Sequence, residues 1–447
     1  MSVFHACDIR GIAGTELTYE LAEKIAYAIG TKLSGQTVVV GGDIRLSTPR
    51  MQQIMMDGLA RSGCEVINIG TVATPLFYFA QKITGATGGV MVTASHNPAS
   101  YNGFKLVMGP KPVSEEDINE IARLTEQNAR VEAVGSVREL SVIQDYIDYT
   151  VSKAKASGMK VVLDAGNGAA SHIAPNLYRQ LGFEVVELFC EADGTFPNRP
   201  PNPAVPENLS ALSKKVLETG AFLGIAFDGD GDRVGFVDET GRAVDNDDIL
   251  VLLAQNYLET QKGPIIYDAK CSMVVPEQIS KAGGKPIMAR AGHTFSKSAF
   301  IREKALFAGE ISGHFFFSEL GYDDGMFAGL KMCEYISTHG PLSVLIDEIP
   351  NYILTPEIRV RYTGTDKEAI LAQIAQRLSD FKPNLIDGVR IEFDDGWAMI
   401  RASVTEPLFT LRFEAKSSER LNEISDILLN ALPDNIRELV NSWNAKD

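Results

Sequence analysis

One apolar run in this chain ends in a loop whose residue types can do chemistry. Residues 88–105 read GGVMVTASHNPASYNGFK, so a strand-like segment stops at Thr-Ala-Ser-His-Asn-Pro and is followed by a lone Lys105. A serine at the end of a buried strand lies at the edge of a sheet, where its hydroxyl can reach a ligand. Ser95 is therefore our candidate for the reacting group, although the same residues also describe an ordinary turn.

A second stretch, Asp-Gly-Asp-Gly-Asp-Arg, has the composition of a metal site. It lies between two apolar segments, 221–227 and 234–237, that are predicted to be strands. Asp228, Asp230 and Asp232 can converge on one hard cation, because the intervening glycines permit a tight turn. The pattern favours a Mg²⁺ site over a solvated acidic turn.

An EF-hand calcium loop is a further alternative for this stretch, since Glu239 stands at the spacing of its last ligand. Arg233 occupies the position where that loop needs glycine, and the flanks are strands instead of helices. Arg233 could offset the charge of the carboxylates or hold a phosphate. Because Mg²⁺ usually completes its shell with phosphate oxygens, a phosphorylated Ser95 would suit the same site.

Two Gly-flanked loops carry further polar groups. His293, with Lys297 nearby, follows a predicted strand and could exchange protons near neutral pH. In Gly-Glu-Ile-Ser-Gly-His, alternation predicts Glu310, Ser312 and His314 on one side of an extended segment. Glutamate and serine together suit vicinal hydroxyls, which both donate and accept hydrogen bonds. Each histidine taken alone is more often a packing or surface residue.

A last polar motif stands near the C-terminus. Arg401, Ser403 and Thr405 alternate in Arg-Ala-Ser-Val-Thr-Glu-Pro, so one face presents a guanidinium and two hydroxyls. These groups could cradle a phosphate. The alternative is the end of a strand whose polar side chains have no ligand and simply face solvent.

The bulk composition restricts the class of protein. The 447 residues are 45% hydrophobic and 22% charged, with a net charge of −16, which describes a soluble globular chain of three or four domains. Such a negative surface would repel nucleic acid and acidic membranes. The five cysteines are scattered without metal-ligand spacing, and no apolar run approaches the length of a membrane span. We expect a reducing cytoplasm.

Three segments of the chain share one pattern. Residues 36–70, 160–189 and 263–291 each read as an apolar strand ending at Asp, a loop, a helix, a Gly-led turn and a second strand. After Pro356 the order of strands and helices becomes α+β. We predict an α/β protein with the domains 1–150 (Ser95 loop), 151–250 (aspartate loop), 251–355 (Glu310 loop), all three α/β, and 356–447 (Arg401 loop), α+β.

Taken together, the motifs resemble the α-D-phosphohexomutase superfamily, in its bacterial phosphomannomutase/phosphoglucomutase branch. The resemblance covers essentially the whole chain, and the motifs stand in the family's order. They are DIRG at 8–11, TASHNP at 93–98, DGDGDR at 228–233, GEISGH at 309–314 and RASVTEP at 401–407.

The resemblance implies four domains around a central cleft, three with related mixed sheets, and a phosphoserine at Ser95. The same serine would ligate one Mg²⁺ per chain together with Asp228, Asp230 and Asp232. Lys105 and His293 would be candidates for proton transfer. The implied catalytic residues are Ser95, Lys105, His293, Arg10 and Arg233.

The resemblance also assigns residues to the substrate. Glu310 and Ser312 would bind two ring hydroxyls, and the Arg401 loop would hold the phosphate that is not transferred. The implied substrate-binding residues are Lys270, Glu310, Ser312, His314, Arg401, Ser403 and Thr405. Two positions depart from the family pattern, since Cys7 stands where tyrosine is common and Val404 where asparagine or glycine is usual.

The implied activity is that of an isomerase, a phosphomannomutase/phosphoglucomutase. It moves phosphate reversibly between the 6- and 1-positions of mannose, and also of glucose, through phosphoserine and a hexose 1,6-bisphosphate that is both intermediate and activator. Alternatives are a phosphoglucosamine or N-acetylglucosamine phosphomutase, a phosphatase, and a non-catalytic sugar-phosphate-binding protein. We expect a hexose phosphate as partner, no nucleic acid or membrane, and a monomer or weak homodimer.

Overall fold

The computed structural model describes residues 3–109, 111–156, 158–403 and 407–444, with the backbone alone for 441–444. Within these ranges the strands form four sheets, three of mixed direction and one antiparallel. Over the same residues, no helix combines the length and the apolar composition needed to cross a bilayer. The predicted fold class, three related α/β domains followed by an α+β domain, is confirmed.

The first sheet carries the Ser95 loop. Its order is β1-β5-β4-β2-β3-β6, with β4, β2, β3 and β6 parallel and β5 antiparallel to both of its neighbours, β4 and β1. The central strands β2 and β4 are apolar and almost wholly buried, as expected for strands covered by helices on both faces. The elements are β1 (Ile9–Ile12), α1 (Tyr19–Leu33), β2 (Thr37–Gly42), α2 (Thr48–Arg61), β3 (Glu65–Thr71), α3 (Thr74–Thr84), β4 (Gly88–Val92), β5 (Tyr101–Met108), α4 (Glu115–Glu126), β6 (Ser136–Glu139) and α5 (Ile143–Lys153).

The second sheet carries the aspartate loop. Its order is β11-β10-β9-β7-β8, and the loop joins the antiparallel strands β9 and β10, which are both fully buried. The strand flanks predicted from the sequence are confirmed, so an EF-hand is excluded. The elements are β7 (Lys160–Asp164), a 3₁₀ turn (Ala169–His172), α6 (Ala174–Gln180), β8 (Glu184–Leu188), a 3₁₀ turn (Pro206–Leu209), α7 (Ser210–Thr219), β9 (Leu223–Phe227), β10 (Val234–Asp238) and β11 (Ala243–Val244).

The third sheet carries the Glu310 loop. Its order is β13-β12-β14-β15-β16, and the loop is the hairpin connection between β14 and β15. The elements are α8 (Asn246–Thr260), β12 (Pro264–Asp268), α9 (Val274–Lys281), β13 (Lys285–Ala289), α10 (His293–Glu303), β14 (Phe307–Gly309), β15 (Phe315–Phe317), β16 (Tyr322–Asp323), α11 (Gly325–His339) and α12 (Leu342–Asp347).

The last sheet is antiparallel, in the order β17-β21-β20-β19, with β18 also paired to β21. The Arg401 motif begins at the end of β20. The elements are β17 (Ile353–Leu354), β18 (Ile358–Arg361), α13 (Lys367–Arg377), a 3₁₀ turn (Ser379–Phe381), β19 (Val389–Phe393), β20 (Gly396–Ala402), β21 (Leu408–Ala415), α14 (Ser418–Ala431) and α15 (Asp434–Asn444).

The three predicted repeats are parallel strand-helix-strand units, β2-α2-β3, β7-α6-β8 and β12-α9-β13. One continuous apolar core runs from Val39 to Leu345 and joins these three sheets, whereas the last sheet packs around a core of its own. A small cluster containing Met273 and Trp397 connects the two bodies. The last sheet is therefore the part of the chain that is least tied to the rest.

Candidate active site

Ser95 follows β4 at the carboxyl edge of the first sheet, as predicted. Its φ of 49° is left-handed, a conformation that costs a non-glycine residue on the order of 1–3 kcal/mol and is often found at functional sites. The side chain is 1% exposed, and its Oγ donates to Asp228 Oδ2 at 2.7 Å. A Cβ at Gly229 would lie 2.4 Å from the Ser95 carbonyl oxygen, so glycine permits the close approach of these two loops.

A buried arginine outside the sequence motifs holds the Ser95 loop. Arg45 donates to the carbonyl oxygens of Ser95, Asn97, Pro98 and Tyr101, at 2.7, 2.6, 2.6 and 3.0 Å. The planar guanidinium suits this task because its donors point in fixed directions. Asp43 Oδ2 pairs with Arg45 Nε at 3.0 Å and balances its charge.

The aspartate loop gathers three fully buried carboxylates. The oxygens of Asp228, Asp230 and Asp232 lie within 4.8 Å of one another, and one Oδ1 each of Asp230 and Asp232 has no hydrogen-bond partner. Burial and then the two neighbouring carboxylates raise the pKa of Asp228 well above its usual value. Lys105 bonds to Asp230 at 2.7 Å and also to Asp232, so one cation faces three carboxyl groups and part of their negative charge remains. Orphaned oxygens and this residual charge fit a divalent cation.

A carboxylate between two histidines forms the opposite wall. Arg233 Nε donates to His314 Nε2 at 2.9 Å, so His314 carries its proton on Nδ1 and donates to Asp323 Oδ2 at 2.8 Å. The other oxygen of Asp323 is 2.9 Å from His293 Nε2. Burial would raise the pKa of Asp323, but the two histidines hold it well below its usual value. Asp323 was not predicted as a site residue.

The Glu310 loop does not have the extended backbone that was predicted for it. Residues 310–314 form a tight hairpin turn instead of an extended segment, because Gly313 takes a φ of 88° and its N–H bonds to the Glu310 carbonyl. Glu310 and Ser312 still lie together, with Ser312 Oγ donating to Glu310 Oε2 at 2.8 Å. The other oxygen of Glu310 is buried without a hydrogen-bond partner. His314 instead points into the buried Arg233–Asp323 network.

The loop is anchored from behind by two further residues. Asn246 donates to the carbonyl oxygen of Ile311 at 3.0 Å, and Asp268 accepts from the Ile311 N–H at 3.0 Å. These contacts fix the orientation of the backbone between the two sugar-binding candidates.

Two cations reach the same cleft, Arg401 from the last sheet and Lys270 from the loop after β12. Arg401 Nε lies 2.8 Å from Asp387 Oδ2, and Asp387 also accepts from the Ala291 N–H in the third sheet's loop. Lys270 Nζ is 3.9 Å from Glu357. Two residues of the predicted phosphate loop, Thr405 and Val404, lie outside the described residues.

A cleft of about 690 Å³ brings the motifs together. Ser95 and Lys105 face an adjoining cavity of about 360 Å³ that shares the wall of Arg10, Arg233, His293 and His314. Cys7, which replaces the common tyrosine, lines both cavities, and burial raises its pKa to about 11. The predicted residues lining the larger cleft are Arg10, Arg233, Lys270, His293, Glu310, Ser312, His314, Arg401 and Ser403.

Comparison with known proteins agrees with this arrangement. Residues 1–132, 142–241 and 245–352 match the family models for phosphoglucomutase/phosphomannomutase alpha/beta/alpha domains I, II and III, and residues 355–431 match the model for the C-terminal domain.

Full-length relatives come from several bacteria. A phosphomannomutase/phosphoglucomutase of Pseudomonas putida is 42% identical over 95% of this chain and 94% of its own length. A phosphoglucomutase of Neisseria gonorrhoeae is 39% identical over 95% of both chains. The crystal structure of a phosphoglucomutase/phosphomannomutase family protein from Burkholderia thailandensis superimposes with a TM-score of 0.88 at 36% identity, covering 96% of each chain. The chain belongs to the phosphoglucomutase/phosphomannomutase family.

Proposed function

We propose that this protein is a phosphomannomutase/phosphoglucomutase that moves a phosphoryl group between the 6- and 1-positions of a hexose phosphate by way of Ser95. The observation that carries the proposal is the 2.7 Å contact between Ser95 Oγ and Asp228, beside a carboxylate cluster that fits a divalent cation. Ser95 faces the smaller of two adjoining cavities, which together are lined by loops of all four sheets.

The metal and the activator belong to the proposal. Ser95 and the carboxylates of Asp228, Asp230 and Asp232 would hold one Mg²⁺, which offsets the charge of the phosphoryl group when bound. A hexose 1,6-bisphosphate would phosphorylate Ser95 and so activate the enzyme. The fully buried aspartates and their orphaned oxygens support this set of ligands.

The first half-reaction breaks the bond between phosphorus and Ser95 Oγ and forms a bond between phosphorus and the free sugar hydroxyl. His293 takes the hydroxyl proton at Nδ1, since its Nε2 is committed to Asp323, which stabilises the imidazolium. Lys105 gives a proton to Ser95 Oγ as the phosphoryl group leaves. Arg10 and Arg233 offset the negative charge of the phosphoryl group. The second half-reaction runs the same transfers in reverse and restores both groups.

The substrate is held by groups that work in either orientation of the sugar. Glu310 and Ser312 would bind two ring hydroxyls, while Lys270, Arg401 and Ser403 hold the phosphate that is not in transfer. The bisphosphate can then turn end for end between the half-reactions. Because the last sheet has a separate core, it can close over the cleft and exclude water that would hydrolyse phosphoserine.

Four finer features of the proposal rest on the sequence alone. They are the Thr405 contact to phosphate, a direct sugar contact from His314, boundaries near residues 150, 250 and 355, and a monomer or weak homodimer. A phosphoglucosamine mutase is the second candidate within the same chemistry, and its amino-sugar phosphate substrate distinguishes it.

A coupled assay with mannose 1-phosphate and glucose 1-phosphate, in the presence of Mg²⁺ and hexose bisphosphate, tests the proposal. We expect turnover of both sugars, with kcat/KM values that differ by less than about 10⁴, because the 2-position is weakly recognised. The S95A variant should lose the activity together with the added mass of about 80 Da that a phosphoryl group brings. Full activity in S95A, or phosphate release as fast as isomerisation, would contradict the proposal.

A further inference from the structure

The 360 Å³ cavity next to Ser95 is strongly basic for a protein whose net charge is −16. It lies between β5 of the first sheet and α10 of the third. Among its described lining residues, Asp8 is the single carboxylate, against six cations. The cations are Arg10, Lys82, Lys105, Lys111, Arg233 and Lys297. Such a local excess of positive charge favours an anion.

The cations nearest the reacting groups already have partners within the protein. Lys105 is paired with two aspartates, Arg233 donates to His314, and Arg10 donates to Asn97 at 2.6 Å. Lys82 donates to the carbonyl oxygen of Leu320 at 3.0 Å and so ties the first sheet's unit to the third. Each of these four cations therefore already has part of its donor capacity committed within the protein.

Lys297 is different. Its Nζ lies 3.8 Å from the ring centroid of Tyr78, and within the described ranges it makes no hydrogen bond or ion pair. Tyr78 is itself buried and stacks on His293, with ring centroids 6.2 Å apart. The aromatic ring therefore supports the ammonium in a cation–π contact and leaves its three donors for a ligand.

Lys297 lies on α10 one helical turn after His293, and both side chains are on the same side of the helix. The nearby carboxylates of Asp323 and Asp232 attract its charge and Lys105 repels it, but burial dominates and lowers its pKa to about 8. A half-buried ammonium without a carboxylate partner gains when an anion enters the cavity and restores the lost solvation.

We propose that Lys297 is a further residue of the phosphoryl-transfer site, and that its ammonium binds the non-bridging oxygens of the phosphoryl group carried by Ser95. This inference rests on the proposed function. The three aspartates, with the cation they would hold, lie on one side of the phosphoryl group, so a free cation on the cavity side stabilises the phosphoenzyme from the other side. Lys297 donates hydrogen bonds only, and no proton or covalent bond is transferred at its nitrogen.

The variants K297M and K297R, with K285M as a matched control, test this role. Lys285 is an exposed lysine at the start of β13, outside both cavities. Each variant is incubated with glucose 1,6-bisphosphate, and the fraction of phosphorylated protein is read by intact mass. Steady-state kcat and KM for glucose 1-phosphate are measured alongside.

In K297M we expect the equilibrium constant for Ser95 phosphorylation and kcat to fall about 10-fold or more, the effect of one charge-assisted hydrogen bond. KM should change less than about threefold, because other loops hold the sugar and its second phosphate. K297R, which keeps the charge and the donors, should recover most of the phosphorylated fraction. K285M should match the unsubstituted protein.

Two outcomes overturn the inference alone. In one, K297M is phosphorylated as fully as the unsubstituted protein, with kcat within twofold. In the other, K297M and K297R lose activity equally and their melting temperatures fall together, which would mean that Lys297 serves only the packing against Tyr78. An unsubstituted protein that neither gains phosphate nor isomerises sugar phosphates would overturn the proposed function as well.

Discussion

Replacing Asp323 with asparagine tests whether the two histidines work as a pair. Asp323 is fully buried and accepts one hydrogen bond from each imidazole, at 2.9 and 2.8 Å. Asparagine offers one oxygen and one NH₂ group, so one imidazole N–H must face a donor. Because Arg233 fixes the proton of His314 on Nδ1, the mismatch disturbs this network whichever way the amide turns.

The size of the effect follows from the charge that is lost. A hydrogen bond to a charged group contributes about 1.5–3 kcal/mol, and Asp323 stabilises the imidazolium that His293 forms when it takes the hydroxyl proton. We therefore expect kcat of D323N to fall about 10- to 150-fold, with KM nearly unchanged. The coupled mutase assay, with thermal unfolding in parallel, measures both.

The control is D347N, which removes an exposed carboxylate that pairs with Arg242. Exposed ion pairs contribute little, so its kcat should stay within about twofold of the unsubstituted protein. If D323N keeps its fold and its kcat also stays within about threefold, the assignment of proton transfer to His293 is wrong.

Three further perturbations have definite expected results. R45M leaves Asp43 buried without its partner and frees the Ser95 loop, so thermal unfolding should show a loss of about 3–5 kcal/mol. G229A places a Cβ against the Ser95 carbonyl oxygen, and a displacement of this loop should lower kcat about 100-fold. Iodoacetamide at pH 7.5 should modify Cys7 roughly 100-fold more slowly than a thiol with the ordinary pKa of 9.0, since burial raises its pKa to about 11 and only the thiolate reacts.

Each of these expectations can fail in a distinct way. An R45M protein with unchanged melting temperature would mean that the loop is held by other contacts. Normal turnover in G229A would show that the two loops can separate without cost. Mass spectrometry measures the rate at which Cys7 is alkylated. A rapid rate would show that the cleft wall around Cys7 opens to water.

The parts of the fold that depend on local sequence could be predicted. The buried strand that ends at Ser95 and the two strands around the aspartate loop follow from apolar runs and turn residues, which are short-range signals. The exception is the Glu310 loop, where polar residues at every second position indicated an extended segment. Gly313, which adopts a positive φ, was the local sign of a turn.

The supporting residues could not be predicted in this way. Arg45 reaches a serine 50 positions away, and Asp323 meets a histidine 30 positions away, so neither stands within the motif it supports. Their contacts depend on how loops converge at the sheet edges, which no local pattern encodes. A charged residue directly after a buried strand, as Asp43 and Arg45 follow β2, is the one signal that could have identified such a role.

A rapid-quench experiment that follows radioactive phosphate from Ser95 tests the central claim most directly. The protein is labelled on Ser95 with ³²P, freed of excess label and mixed with glucose 1-phosphate and Mg²⁺ for a single turnover. We expect the label to appear first in hexose bisphosphate and then in glucose 6-phosphate, at a rate at least equal to kcat. Label that stays on the protein, or leaves as inorganic phosphate, would contradict it.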